Sequence, residues 1–179
     1  PKGVLESDYE YYKVRLKISD KLETNPFGYI KYRITFGKIW GNLPYPLLKL
    51  HEGNETYAWD PLSFNMMNYY EFVSDEYMSL FAEHHFQGFF LNRIPLLRRL
   101  HLREVVGCNI LYGKLSDRNK TVMAFPEGLS GLSEPYYEAN AGIENIFKLF
   151  RIDAVWRFSY LDHPDVSPFG IRATMQLTF

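Results

Sequence analysis

Apolar and charged residues alternate one by one through long stretches of this chain, and no other property restricts its fold as tightly. In Tyr12, Val14, Leu16 and Ile18 the apolar positions are separated by Lys13, Arg15 and Lys17. A strand points successive side chains to opposite sides, so a strict period of two makes one apolar and one basic face. After the short turn Asp20 to Pro26 the pattern returns, with Ile30, Tyr32, Ile34 and Phe36 on one face and Lys31, Arg33 and Thr35 on the other.

The same period runs to the end of the chain. A hairpin is expected through Phe64 to Val73 and Glu76 to Phe86, turning at Ser74-Asp75, followed by a strand over His101 to Lys114. Tyr137, Ala139, Ala141 and Ile143 alternate with Glu138, Asn140 and Gly142. After a short reversal through Glu144 to Leu149, Ile152, Ala154, Trp156, Phe158 and Tyr160 alternate with Arg151, Asp153, Arg157 and Ser159. Ile171, Ala173, Met175, Leu177 and Phe179 form the last row. Long loops are predicted at Gly41 to Pro61, where Pro44, Pro46 and Pro61 disfavour a central strand, and at Ser116 to Glu134. The only helical stretch expected is short, Ile94 to Leu100. This amounts to about eight strands in an all-β, antiparallel fold.

Alternation alone does not say which face meets water. Several strands reach the roughly 9 to 11 residues that cross a bilayer when tilted, where globular strands run about 5 to 6. Short turns and long loops alternate, as in transmembrane barrels. Rings gather near strand ends, among them Tyr11, Tyr12, Trp40, Tyr112, Tyr136 and Phe169, as interfacial girdles require. The expected fold is therefore a transmembrane β-barrel. A basic side chain at mid-depth on its lipid face would cost roughly 2 to 4 kcal/mol. Arg15, Arg33, Arg157 and Arg172 accordingly face the lumen, with Glu71, Glu83, Glu138 and Asp153 as candidate partners.

The terminal strand, with Gly170, Ile171, Ala173, Met175, Leu177 and a closing Phe179, resembles the assembly signal of Gram-negative outer-membrane barrels, which implies the barrel-assembly machinery as a partner during biogenesis. From Tyr69-Tyr70-Glu71-Phe72-Val73-Ser74-Asp75, through Glu83-His84-His85-Phe86-Gln87-Gly88-Phe89-Phe90 and Arg103-Glu104-Val105-Val106-Gly107, to Arg151-Ile152-Asp153-Ala154-Val155-Trp156-Arg157 and Ser167-Pro168-Phe169-Gly170, the chain resembles a family of uncharacterised Bacteroidetes outer-membrane proteins. These carry a carboxypeptidase-regulatory-like domain ahead of a C-terminal barrel. The resemblance implies that residues 1–179 are the C-terminal part of one barrel domain, half of a roughly sixteen-stranded whole, with the regulatory-like domain upstream. A start at Pro1-Lys2-Gly3 agrees with a fragment. A more distant similarity, to the surface-antigen barrels that insert other outer-membrane proteins, extends to architecture only. Their Val-Arg-Gly-Phe/Tyr motif is missing from Gly53 to Asp60.

Chemistry is sparse. His84 and His85 are adjacent and point to opposite faces, so they cannot share a metal, whereas His85 and Glu83 can pair. Ser79, Ser159 and Ser167 lack a nucleophile elbow. Asp162-His163 beside Ser167 is the only local cluster that a hydrolase could use, and it reads as a turn. Cys108, the single cysteine, precludes an internal disulfide and falls on an apolar face, where a thiol acts as a small hydrophobe. With 20 basic and 21 acidic side chains there is no reason to expect nucleic acid. No cofactor or metal is expected.

The function expected is that of a non-enzymatic outer-membrane protein in transport or envelope biogenesis, in contact with outer-membrane lipid and lipopolysaccharide. Two alternatives stand beside it: a soluble β-barrel whose apolar row points inward around a small apolar ligand, and an outer-membrane hydrolase dependent on His163.

Overall fold

A computed structural model describes residues 9–176. Nine strands follow one another: β1 (Tyr12–Glu23), β2 (Tyr29–Trp40), β3 (Lys49–Leu50), β4 (Val73–Ser74), β5 (Glu76–His85), β6 (Arg103–Lys114), β7 (Tyr136–Ile146), β8 (Phe150–Arg157) and β9 (Phe169–Met175). Seven of them build one antiparallel sheet in the order β1-β2-β5-β6-β7-β8-β9, and β3 pairs only with β4. Helix is confined to one turn, α1 (Asp117–Lys120), and three 3-10 segments. The fold is all-β and antiparallel, as the alternation predicts.

The sheet is not closed. Among the described residues β1 and β9 pair with no common strand, and on the far side of β9 Ala173 exchanges backbone hydrogen bonds with Tyr57 and Trp59, at 2.9 and 3.0 Å. Register is regular from β1 to β7 and shifts once between β7 and β8, between Ile143 and Ile146. Ile18 opposes Ile34, Ile34 opposes Leu80, and Leu80 opposes Ile110. A one-residue slip would exchange the two faces, so this register puts every apolar row on the same side.

Three expectations are corrected. Phe64 to Val73 is not a strand apart from Val73, which opens β4: residues 64–72 belong to a segment, 41–72, that is irregular apart from β3 and the 3-10 turn Tyr45–Leu47 and lies over one face of the sheet. Its apolar run suggests a strand, but its backbone amides are taken by buried carboxylates, Asn65 and Met66 by Glu138 and Asn68 by Glu71. Ser74-Asp75 is a corner leading from β4 into β5, with Asp75 holding the Ser116 amide and the Asn119 side chain. Ile94 to Leu100 holds only the 3-10 segment Leu97–Leu100, preceded by a second at Leu91–Arg93.

The short turn before β2 is tight. Gly28 sits at φ +90, and a Cβ there would lie 1.9 Å from the His85 carbonyl oxygen, so only glycine fits.

At the end of the sheet holding Glu23, Tyr29, Arg103 and Ile146 two connections are short, residues 24–28 and 147–149, and the third, residues 86–102, holds two 3-10 segments. The connections at the opposite end, residues 41–72, 115–135 and 158–168, fold back over one face. The hydrophobic core lies beneath them. Phe64, Met67 and Phe72 from the covering segment pack against Tyr77, Leu111, Tyr136 and Tyr160, and a second group joins Ile39, Leu43, Leu48, Val73, Leu115 and Leu129. Burial of Phe72 alone contributes about 1.5 to 3 kcal/mol.

Candidate functional site

The two faces of the sheet have opposite chemistry. On the uncovered face Val14, Leu16, Ile18, Phe36, Val106, Ile152 and Ile171 are all exposed. Exposed rings lie toward the two ends of this face: Tyr12, Trp40, Tyr112, Trp156 and Phe169 near the long connections, Phe27, Phe90, Phe147 and Phe150 near the short ones. Cys108 is exposed there too, between Ala82 and Ala139. On the covered face Asn109, Glu138, Asn140, Glu144, Arg151, Asp153, Arg157 and Arg172 are buried. A protein that folds in water does the reverse.

Three polar nodes hold the covered face together. At the first, Arg157 is fully enclosed and forks onto Glu71, Nη2 to Oε1 at 2.6 Å and Nη1 to Oε2 at 2.9 Å. It also donates to the carbonyls of Met66, Ser159 and Tyr160, so all five of its N–H donors are used. His163 Nδ1 lies 2.8 Å from the same Glu71. At the second, Arg151 donates to Asp153 at 2.6 and 2.8 Å and to Glu83, and its guanidinium stacks 4.7 Å from the Trp59 ring centre. His85 joins this node, 3.6 Å from Glu83 and 3.2 Å from Glu144. At the third, Glu138 opposes Arg157 in the register but forms no ion pair among the described residues. It accepts from two backbone amides, Asn109 and the Tyr136 hydroxyl.

Arg15, Arg33, Glu83, Glu138, Asp153, Arg157 and Arg172 thus share one side of the sheet, with Glu71 reaching in from the covering segment. Their pairing differs from expectation. Arg157 finds Glu71, but Arg172 donates to the Asn65 carbonyl, and Arg33 to the Pro61 carbonyl at 2.9 Å while packing over Phe81. Glu83 and Asp153 go instead to Arg151, which alternation marks as polar without naming a partner. Of the terminal strand, Ile171, Ala173 and Met175 lie on the uncovered side and Gly170 turns toward Met66. Leu177 and Phe179 fall outside the described residues.

His163 and Ser167 line a cavity of about 700 Å3 beside Glu71 and Arg172. Among the described residues no three His, Cys, Asp or Glu side chains gather as a metal set. His51 is buried in the covering segment, its Nε2 3.0 Å from the Ser74 hydroxyl. Burial, reinforced by the Lys49 ammonium, pushes its pKa down to about 3.

These features define an all-β protein whose sheet is polar where it is covered and apolar where it is bare. The chain belongs to a family of unknown function, DUF5686, whose C-terminal domain it matches over residues 1–119. No match was found among curated proteins or among solved structures.

Proposed function

We propose that this chain is the C-terminal part of a β-barrel in the outer membrane of a Gram-negative bacterium, serving transport or envelope biogenesis without catalysis. The carrying observation is the inverted sheet, with its long apolar rows bare and its charges buried. Hydrocarbon solvates such rows, and pairing of every backbone group in a closed sheet is the only way strands cross it. In this reading β1 and β9 pair with further strands of a longer chain that also carries a regulatory-like domain. The contacts implied are outer-membrane lipid and lipopolysaccharide on the bare face and the barrel-assembly machinery at β9.

A soluble barrel around an apolar ligand would turn its apolar rows to the enclosed side. Here that side carries Arg151, Asp153 and Glu138, so the observation favours the membrane. In fractionation, the full-length protein will sediment with the outer membrane and migrate differently on gels before and after boiling. A soluble protein with unchanged migration refutes the reading.

A further inference from the structure

Charge on the covered face is unevenly balanced. Around β7 and β8 each buried arginine is matched by carboxylates, but on β1 the cations Arg15 and Lys17 form no ion pair or hydrogen bond among the described residues. Arg15 and Lys17 border a cavity of about 450 Å3 between this part of the sheet and the covering segment. Arg33 and Lys49 line it as well, against two carboxylates that are already engaged. Glu52 pairs with Lys49, and Asp60 accepts from the Leu62 amide at 2.8 Å and the Ser63 hydroxyl at 2.6 Å.

The donors are arranged in two neighbouring rows. Lys17 opposes Thr35, which opposes Ser79, placing an ammonium and two hydroxyls in one line across three strands. Arg15 opposes Gly37, where a Cβ would lie 2.1 Å from the Tyr77 ring, so the ring occupies the space a side chain would take and borders the cavity beside the guanidinium. A planar guanidinium, a mobile ammonium and hydroxyl donors around a partly enclosed space suit the oxygens of a phosphate or carboxylate. The cavity opens on the side opposite the bare apolar rows, so its ligand comes from water and not from a lipid headgroup.

We propose that this cavity is a binding site for a compact, soluble, multivalent oxyanion, held by Arg15 and Lys17 with Thr35 and Ser79 assisting. The site goes beyond the proposed membrane role and does not require it. Calorimetric titration of the full-length protein in a non-ionic detergent, with inorganic phosphate in one series and citrate in another, tests it at low and high salt. Saturable binding that weakens as salt rises is expected, because exposed charges are screened beyond about 10 Å at 0.1 M.

The Arg15→Gln/Lys17→Gln double variant should bind at least tenfold more weakly. Lys21→Gln, removing a cation already paired with Glu23 on the same strand, should leave binding unchanged. Absence of wild-type binding of both probes at low salt overturns the site, whatever the variants do, and so does equal affinity in the folded double variant. Gel migration before and after boiling, measured on the same samples, reports separately on the barrel.

Discussion

Replacing Arg157 by methionine keeps an unbranched stem of similar length and removes all five donors. The side chain is fully enclosed and its partner Glu71 is only 3% exposed, so no water replaces what is lost. Glu71 would keep the Asn68 amide and His163, while the carbonyls of Met66, Ser159 and Tyr160 would each lose a donor. One-sided removal of a buried ion-pair partner costs about 3 to 5 kcal/mol, because the remaining charge stays desolvated. A second substitution, Glu71→Met, removes that stranded charge. The double variant should therefore be more stable than the sum of the two single effects by about 1.5 to 3 kcal/mol, the upper half of the coupling seen for residues in one network. Denaturant midpoints of the full-length protein in detergent, followed by tryptophan fluorescence, close the cycle. A loss under about 1 kcal/mol for Arg157→Met, or additivity of the two changes, would refute the view that this pair fastens the covering segment to β8.

Leu80→Arg places a charge in the middle of the bare face, between Ile34 and Ile110. It should cost roughly 2 to 4 kcal/mol and deplete the protein from the outer membrane, whereas a water-facing position would tolerate it within about 0.5 kcal/mol. With His51 neutral when folded and its pKa near 3, against about 6.5 unfolded, only the unfolded chain takes up a proton below pH 6.5. The stability it contributes is complete above that pH and falls by about 1.4 kcal/mol per unit as pH drops toward 3. Proteolysis of residues 49–74 between pH 7 and 4 should show this slope, and His51→Asn should flatten it. Gly28→Ala should cost at least about 1 to 2 kcal/mol from backbone handedness alone, more with the 1.9 Å approach to the His85 carbonyl, as read from the same denaturant midpoints. A neutral effect would mean the turn before β2 has another shape.

Side-chain alternation is a property of neighbours in sequence, and whatever depends on it is legible there. The all-β class, the division of Arg15, Arg33, Glu83, Glu138, Asp153, Arg157 and Arg172 from the apolar rows, and the opposite orientation of His84 and His85 all follow from a period of two. The covering segment has no such period. Phe64 to Val73 is apolar enough to pass for a strand, and only the tertiary arrangement shows its amides bound to Glu138 and Glu71.

The choice of partners was equally closed to sequence reasoning. Arg151 meets Asp153 two residues away but Glu83 three strands off, and that second contact depends on a register built from four separate segments. Arg15 and Lys17 look like Arg157 in the alternation, yet the two carboxylates that share their cavity, Glu52 and Asp60, are engaged by Lys49 and by the Leu62 amide and Ser63 hydroxyl. The sequence by itself determined which face each residue occupies, because strand geometry is local. Only the tertiary structure decided which charges are satisfied and which remain open to a ligand, because that depends on distances between segments far apart along the chain.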